Sequence, residues 1–173
     1  MRFYVCIPLP VRLKEKVSTF SKEWEVQSKS EPHITIIVPR SLPEGVGLRE
    51  LTGAIAGALS SVRPFIIQCR EVGQFDDKQV IHLPIERSSG FADLHQALRT
   101  EIERVAGVDV AKFAHVPEPH ITLASGMSPE KAEPIWDAAH QIDWTDEFAC
   151  KELHLMVRGP DDPRWIVSTA FHL

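Results

Sequence analysis

The chain has 173 residues, 43% of them hydrophobic and 25% charged, with a formal net charge of −5. These proportions suit one folded body or two small lobes sharing a core. The acidic balance argues against sequence-independent duplex binding, which needs a dense cationic surface; a small nucleotide or an RNA end in a local basic pocket stays open.

The first predicted strand runs from Arg2 to Leu9 and ends at Pro10. Leu13, Val17, Phe20 and Trp24 then repeat at helical spacing and predict a helix over 11–24. Pro32 forces an extended residue before it, and the β-branched run from His33 to Val38 reads as a strand closed by Pro39. A helix is expected over 48–59 and a strand from Phe65 to Cys69. Val80 to Ile85 is a further strand, with an edge or a break at Pro84. Leu94, Leu98, Ile102 and Val105 mark one face of an amphipathic helix over 91–105. A strand follows over 120–124. Ser128 is placed to cap a helix that begins at Pro129. Strands over 152–157 and 165–171 close the chain, separated by Gly159-Pro160-Asp161-Asp162-Pro163.

Cys6, Cys69 and Cys150 are far apart and lack CxxC spacing, so they are expected to be reduced, buried thiols. The N-terminal apolar run is broken by prolines and too short for a signal or a membrane span. A cytoplasmic location is expected.

One pattern dominates. Glu31-Pro32-His33-Ile34-Thr35 recurs as Glu118-Pro119-His120-Ile121-Thr122. The strand predicted at Phe65 starts 32 residues after His33, and the one at Glu152 starts 32 residues after His120. A β-α-β-α-β order appears twice, which predicts a duplicated α+β architecture with two related lobes.

On a strand, residues i and i+2 share a face. His33 and Thr35 should therefore project together with Ile34 turned inward, and His120, Thr122 and Ile121 should repeat this. Two related lobes would then bring two imidazoles and two hydroxyls to one cleft. That set suits phosphodiester chemistry. One neutral imidazole takes a proton, and the other, as imidazolium, protonates the departing oxygen. The threonine hydroxyls donate to phosphate oxygens. One HxT alone would be explained as well by a packed, hydrogen-bonded histidine, and duplication can repeat packing. Packing has little need of both polar residues on one face, twice. Each strand offers a single histidine, without HxH, HExxH or a Cys/His cluster, so neither a metal nor a cofactor is expected.

Two Pro-His-Ile-Thr strands at this separation resemble the 2H phosphoesterase superfamily, which includes RNA 2′,3′-cyclic phosphodiesterases and LigT-like 2′-5′ RNA ligases. The resemblance spans essentially the whole chain. It implies a single bilobal unit over 1–173, with an antiparallel sheet in each lobe, helices outside and a central cleft. It implies His33 and His120 as the catalytic acid and base, and Thr35 and Thr122 as the phosphate-binding residues. The substrate it implies is a cyclic phosphodiester of a small nucleotide or RNA terminus, with ligation as the reverse reaction. Duplex DNA and membranes are not expected partners, and a monomer is expected. Many LigT-like members continue the second motif as Leu-Ala-Arg; here Leu123-Ala124-Ser125 stands instead. The first continues as Ile36-Ile37-Val38-Pro39-Arg40, where many relatives have Phe-Leu-Gly; Arg40 reads as a solvated loop residue, with a cation near the cleft mouth as the less favoured option.

The remaining histidines rank below the motif pair. His82 in a strand and His95 and His140 in helices read as surface or supporting positions. His115, close in sequence to His120, is a weaker choice for orienting substrate. His154 and His172 are expected to face outward. Phe75 and Trp165 could form a base-stacking wall, though core packing is preferred for both. Glu31 and Glu118 read as turn or edge positions, with tuning of the histidines as the other option. Two further readings compete with the enzyme: a module that binds a nucleotide or RNA end in the same cleft without turnover, and a scaffold whose repeat reflects duplication alone.

Overall fold

The computed structural model describes residues 1–26, 30–75, 80–106, 118–162 and 164–173. Nine strands and four helices alternate among them: β1 (Arg2–Pro8), α1 (Val11–Glu23), β2 (His33–Ser41), α2 (Leu48–Leu59), β3 (Phe65–Cys69), β4 (Gly73–Phe75), β5 (Val80–Pro84), α3 (Ser89–Ala106), β6 (His120–Ala124), α4 (Pro129–His140), β7 (Asp146–Cys150), β8 (Glu152–Arg158) and β9 (Ile166–His172). The fold is the expected α+β class, with antiparallel strands throughout.

Apolar periodicity explains the helices. In α1, Leu13, Val17 and Phe20 form a buried stripe, and Leu51, Ile55 and Leu59 do the same in α2. Helix α1 stops in a Schellman turn: the Val26 N–H reaches the Ser21 carbonyl at 2.8 Å and the Glu25 N–H reaches that of Lys22 at 3.0 Å. Glu25 adopts a left-handed φ of 54° to make it. Ser128 takes the N-cap of α4 in extended conformation without a side-chain cap bond.

Seven strands form one sheet in the order β4-β5-β6-β2-β1-β8-β9, and β3 and β7 form a separate pair. The duplication is visible in the register. Pro8 opposes His33 and Cys6 opposes Thr35; in the other half, Pro84 opposes His120 and His82 opposes Thr122. Cys6 in turn opposes His154, as His82 opposes Gly73. The halves exchange strands: β4 follows β3 in the chain yet pairs with β5, and β8 follows β7 yet pairs with β1. They join where β2 meets β6, at the pair Ile34–Ile121.

This topology corrects the spacing argument. The strand that follows α4 as β3 follows α2 is β7, which pairs with β3, so the strand at Glu152 is not the counterpart of β3. Neither β7 nor the three-residue β4 shows in the periodicity of the sequence. Nor does Pro39 close its strand, since β2 continues to Ser41. The register slips between Phe3–Arg40 and Val5–Ile37, and the bulge accommodates a residue that has no N–H to pair.

A continuous apolar core runs through both halves, from Val5 and Ile7 through Ile34, Ile36 and Ile121 to Leu153 and Leu155. Cys6, Cys69 and Cys150 are buried free thiols, as expected. Burial pushes the Cys6 and Cys150 thiols up to about 12 and that of Cys69 to about 11. Among the described residues, no helix is long and apolar enough to cross a membrane.

Candidate active site

Strands β2 and β6 lie side by side at the centre of the sheet. Ile34 and Ile121, both fully buried, fill the core beneath them. Antiparallel register about that pair sets His33 across from Thr122, and Thr35 across from His120. The histidine of each motif therefore neighbours the threonine of the other. All four line one cleft of about 820 Å³, which extends past Trp24, Met127, Ser128 and Lys131 toward the end of α1 and the start of α4.

The two pentapeptides share one local geometry. The His33 Nδ1–H donates to the Glu31 carbonyl at 2.7 Å, and the His120 Nδ1–H donates to the Glu118 carbonyl at 2.7 Å. A carbonyl can only accept, so each Nδ1 carries the proton, and each neutral ring keeps its lone pair on Nε2. Pro32 and Pro119 stiffen the link between acceptor and ring. The glutamates thus serve through their backbone. The Glu31 side chain turns outward to Lys14 at 3.2 Å, a surface pair that contributes little. The Thr35 hydroxyl donates to His33 Nε2 at 3.1 Å.

The surroundings of the two rings differ. Burial pushes the His33 proton affinity down; the Glu31 carbonyl opposes this, and the nearby His120 adds to it by charge repulsion. Tyr4 stacks on His33 with ring centroids 5.1 Å apart, and Trp165 meets Tyr4 edge-on at 4.6 Å. Burial drives the Tyr4 phenol up to about 12, against a hydrogen bond with Ser30. Behind His120 stand Phe75 and His82, at 5.1 and 5.2 Å.

Of the two positions the sequence allows His82, surface or supporting, it takes the supporting one. It is buried on the face opposite Ile81 and Leu83 and stands against His120. Its signal is present in the chain: two residues before Pro84, it repeats the position of Cys6 before Pro8. Phe75 and Trp165 support these rings and are absent from the cleft wall. His95 is buried in α3, not at the surface. His154 is half-buried and bonded to Glu152 at 2.6 Å, where an outward position was expected. His172 is exposed. His140 packs on Trp136 at the surface. Arg40 belongs to β2, not to a loop, and lies away from the cleft; burial disfavours its charge, and Glu103 of α3 offsets this only in part. His115 lies outside the described residues. Among those residues, no cluster of three or more His, Cys, Asp or Glu could hold a metal ion.

Comparison with known proteins bears on the fold and the family. A Staphylococcus aureus (strain Newman) protein named "Putative phosphoesterase" is 23% identical over 163 residues, covering 92% of each chain. The crystal structure of TT0787 from Thermus thermophilus superposes with a TM-score of 0.71 at 20% identity, covering 100% of this chain and 98% of that one. Escherichia coli LigT complexed with 3′-AMP gives 0.64 at 19% identity, over 99% and 96% of the two chains. These two share the fold. The sequence model of the 2′-5′ RNA ligase superfamily matches residues 11–162, most of the length, and the chain belongs to that superfamily.

Proposed function

We propose that the protein is a metal-independent phosphoesterase that opens a cyclic phosphodiester, a 2′,3′-cyclic phosphate or a related ring, on a nucleotide or RNA terminus. The observation that carries this reading is two imidazoles with fixed tautomers, both facing one cleft beside two threonines. His33, whose surroundings oppose protonation, is the general base and takes a proton from water as its oxygen attacks phosphorus. His120 is the general acid and protonates the ribose oxygen as its bond to phosphorus breaks. Thr35 and Thr122 donate to the non-bridging oxygens, where charge builds in the transition state. With a ribose 5′-hydroxyl in place of water as the nucleophile, the same ring opening would join a 2′-5′ linkage, the hydroxyl losing its proton to His33 and the departing 3′ oxygen taking one from His120. The nucleotide named with the LigT structure supports a small nucleotide as ligand.

The test is a panel of nucleoside 2′,3′-cyclic phosphates, a linear 2′-5′ dinucleotide and ADP-ribose 1″,2″-cyclic phosphate, offered to dialysed protein in EDTA. Ring opening in EDTA is expected. Binding without product would make the protein a nucleotide-binding module instead. Activity that returned only with added zinc or manganese would overturn the acid–base mechanism.

A further inference from the structure

His82 is buried and titratable, and the reaction above gives it no part. It belongs to the half of the sheet that holds His120, and it faces the same side as Thr122. Three contacts hold its ring. Phe75 stacks on it face to face, with centroids 3.9 Å apart and planes 14° apart. Its edge meets His120 at 5.2 Å and 66°. On the neighbouring strand, Gly73 leaves the space it occupies, since a Cβ there would lie 2.8 Å from His82 Nε2. Phe75 also meets His120 directly, at 5.1 Å and 80°. The hydrogen bond of His82 is weak by comparison: Nδ1 stands 3.5 Å from the Val80 carbonyl. A buried imidazole with so long a bond is a costly way to fill core, and Leu or Ile would fill it at less cost. A flat five-membered ring is, however, what fits between a bare backbone and the side of another imidazole.

We infer that His82 is a positioning residue for His120, held against it by Phe75 and by the missing side chain at Gly73. The Glu118 carbonyl fixes one ring nitrogen of His120, but a single hydrogen bond leaves the ring free to rock about it. The Phe75–His82 pair closes the side of the ring that faces away from the cleft. With rotation blocked, Nε2 stays aimed at the departing oxygen, and a small misdirection there is expensive in rate. The other half solves the same problem with Tyr4, which stacks on His33. The inference rests on the proposed reaction, in which His120 is the acid.

The test uses three alanine substitutions and one conservative replacement. His82→Ala, Phe75→Ala and Gly73→Ala should each lower kcat by about 10- to 100-fold and leave KM within about twofold. Phe75→Tyr should restore most of the rate. Gly73→Ala acts by displacing the His82 ring, so it should add little in the His82→Ala background. A loss confined to KM, or full additivity of that pair, would overturn the inference. His82 is buried and its variant could unfold; Phe75 and Gly73 lie on a short edge strand and keep the question open to an answer. Nuclear magnetic resonance supplies a readout that needs no turnover. The His120 ring protons should shift and broaden in Phe75→Ala and Gly73→Ala. Unchanged His120 signals would refute positioning even if the substrate panel had failed.

Discussion

Ile34 and Ile121 face each other where β2 meets β6, both fully buried, and theirs is the residue pair that joins the two halves of the main sheet. Their place explains why the motif histidines and threonines alternate with some of the most buried side chains in the molecule. The period of two that sends Ile34 into the core sends His33 and Thr35 to the cleft. Core packing at the join and the polar lining of the cleft above it are therefore set by the same six residues.

Truncating the join should cost stability. Ile34→Val should destabilise by about 0.5–1.5 kcal/mol and Ile34→Ala by about 2–5 kcal/mol, the usual range for cavities in well-packed cores. Urea denaturation at neutral pH measures it. A neutral Ile34→Ala would mean that the two halves do not pack as described.

Glu25 makes the opposite prediction. Its φ of 54° closes the Schellman turn after α1 in a conformation that disfavours a side chain. Glu25→Gly should stabilise by about 0.5–1 kcal/mol, the relief of strain less the entropy of glycine. A lower midpoint for thermal unfolding would contradict it. The residue also lines the cleft.

Three histidines should make the fold acid-sensitive. Burial lowers the proton affinity of His33, His82 and His95 below that of a free imidazole. The unfolded chain therefore binds more protons as pH falls through about 6.5. Their contribution is intact above that value and is lost on going down toward the folded-state values. Asp143 and Asp162, whose affinities are also lowered from an ordinary 3.8, act in a more acidic range. Urea midpoints at pH 5 should thus fall below those at pH 7.5, and His95→Leu should flatten the slope. Equal midpoints at the two pH values would sink the argument.

The duplicated pentapeptide makes the centre of the site legible in the sequence, because two histidines and two threonines at alternate positions have one geometric consequence on a strand. The long helices and strands are legible for the same reason of period. What escapes is short or non-local. Three residues of β4 carry no periodicity to detect, and β7 finds its partner 77 residues away at Cys69–Asp146. The exchange of β4 and β8 between halves is a tertiary fact without a local signal. His82 is hidden with it, since its importance depends on which strand lies beside β5. The carbonyl role of Glu31 and Glu118 is also invisible, because side-chain identity says nothing of where a backbone oxygen points.

The rate should depend on pH as a bell. It falls in acid when the base is protonated, and in alkali when the acid has lost its proton. The two apparent constants belong to the coupled pair. Burial and His120 both disfavour a proton on His33, so the acid limb should lie below the ordinary imidazole range. A rate rising steadily from about pH 5 to pH 9 would rule out a mechanism that needs one neutral and one charged histidine.

Substitution of the motif residues is the most direct check. His33→Ala and His120→Ala should each lower the rate by about 10²- to 10⁴-fold, the size of a general acid or base contribution. Both should fold, because each ring is only partly buried and stands above the core, not in it. The double variant should be little worse than either single one, since the two imidazoles act on one transition state. Thr35→Val and Thr122→Val should cost less, at most about 2–4 kcal/mol each, by analogy with removing one oxyanion donor. Thr35 should show the larger side effect on pH dependence, because its hydroxyl also bonds His33 Nε2. His172→Ala, at an exposed position on the edge strand β9, serves as the control and should stay near the parent rate. Steady-state rates on the best cyclic phosphate of the panel measure all of these variants. If either motif histidine can be removed while most turnover remains, the symmetric acid–base pair is wrong, and the second pentapeptide is a relic of duplication.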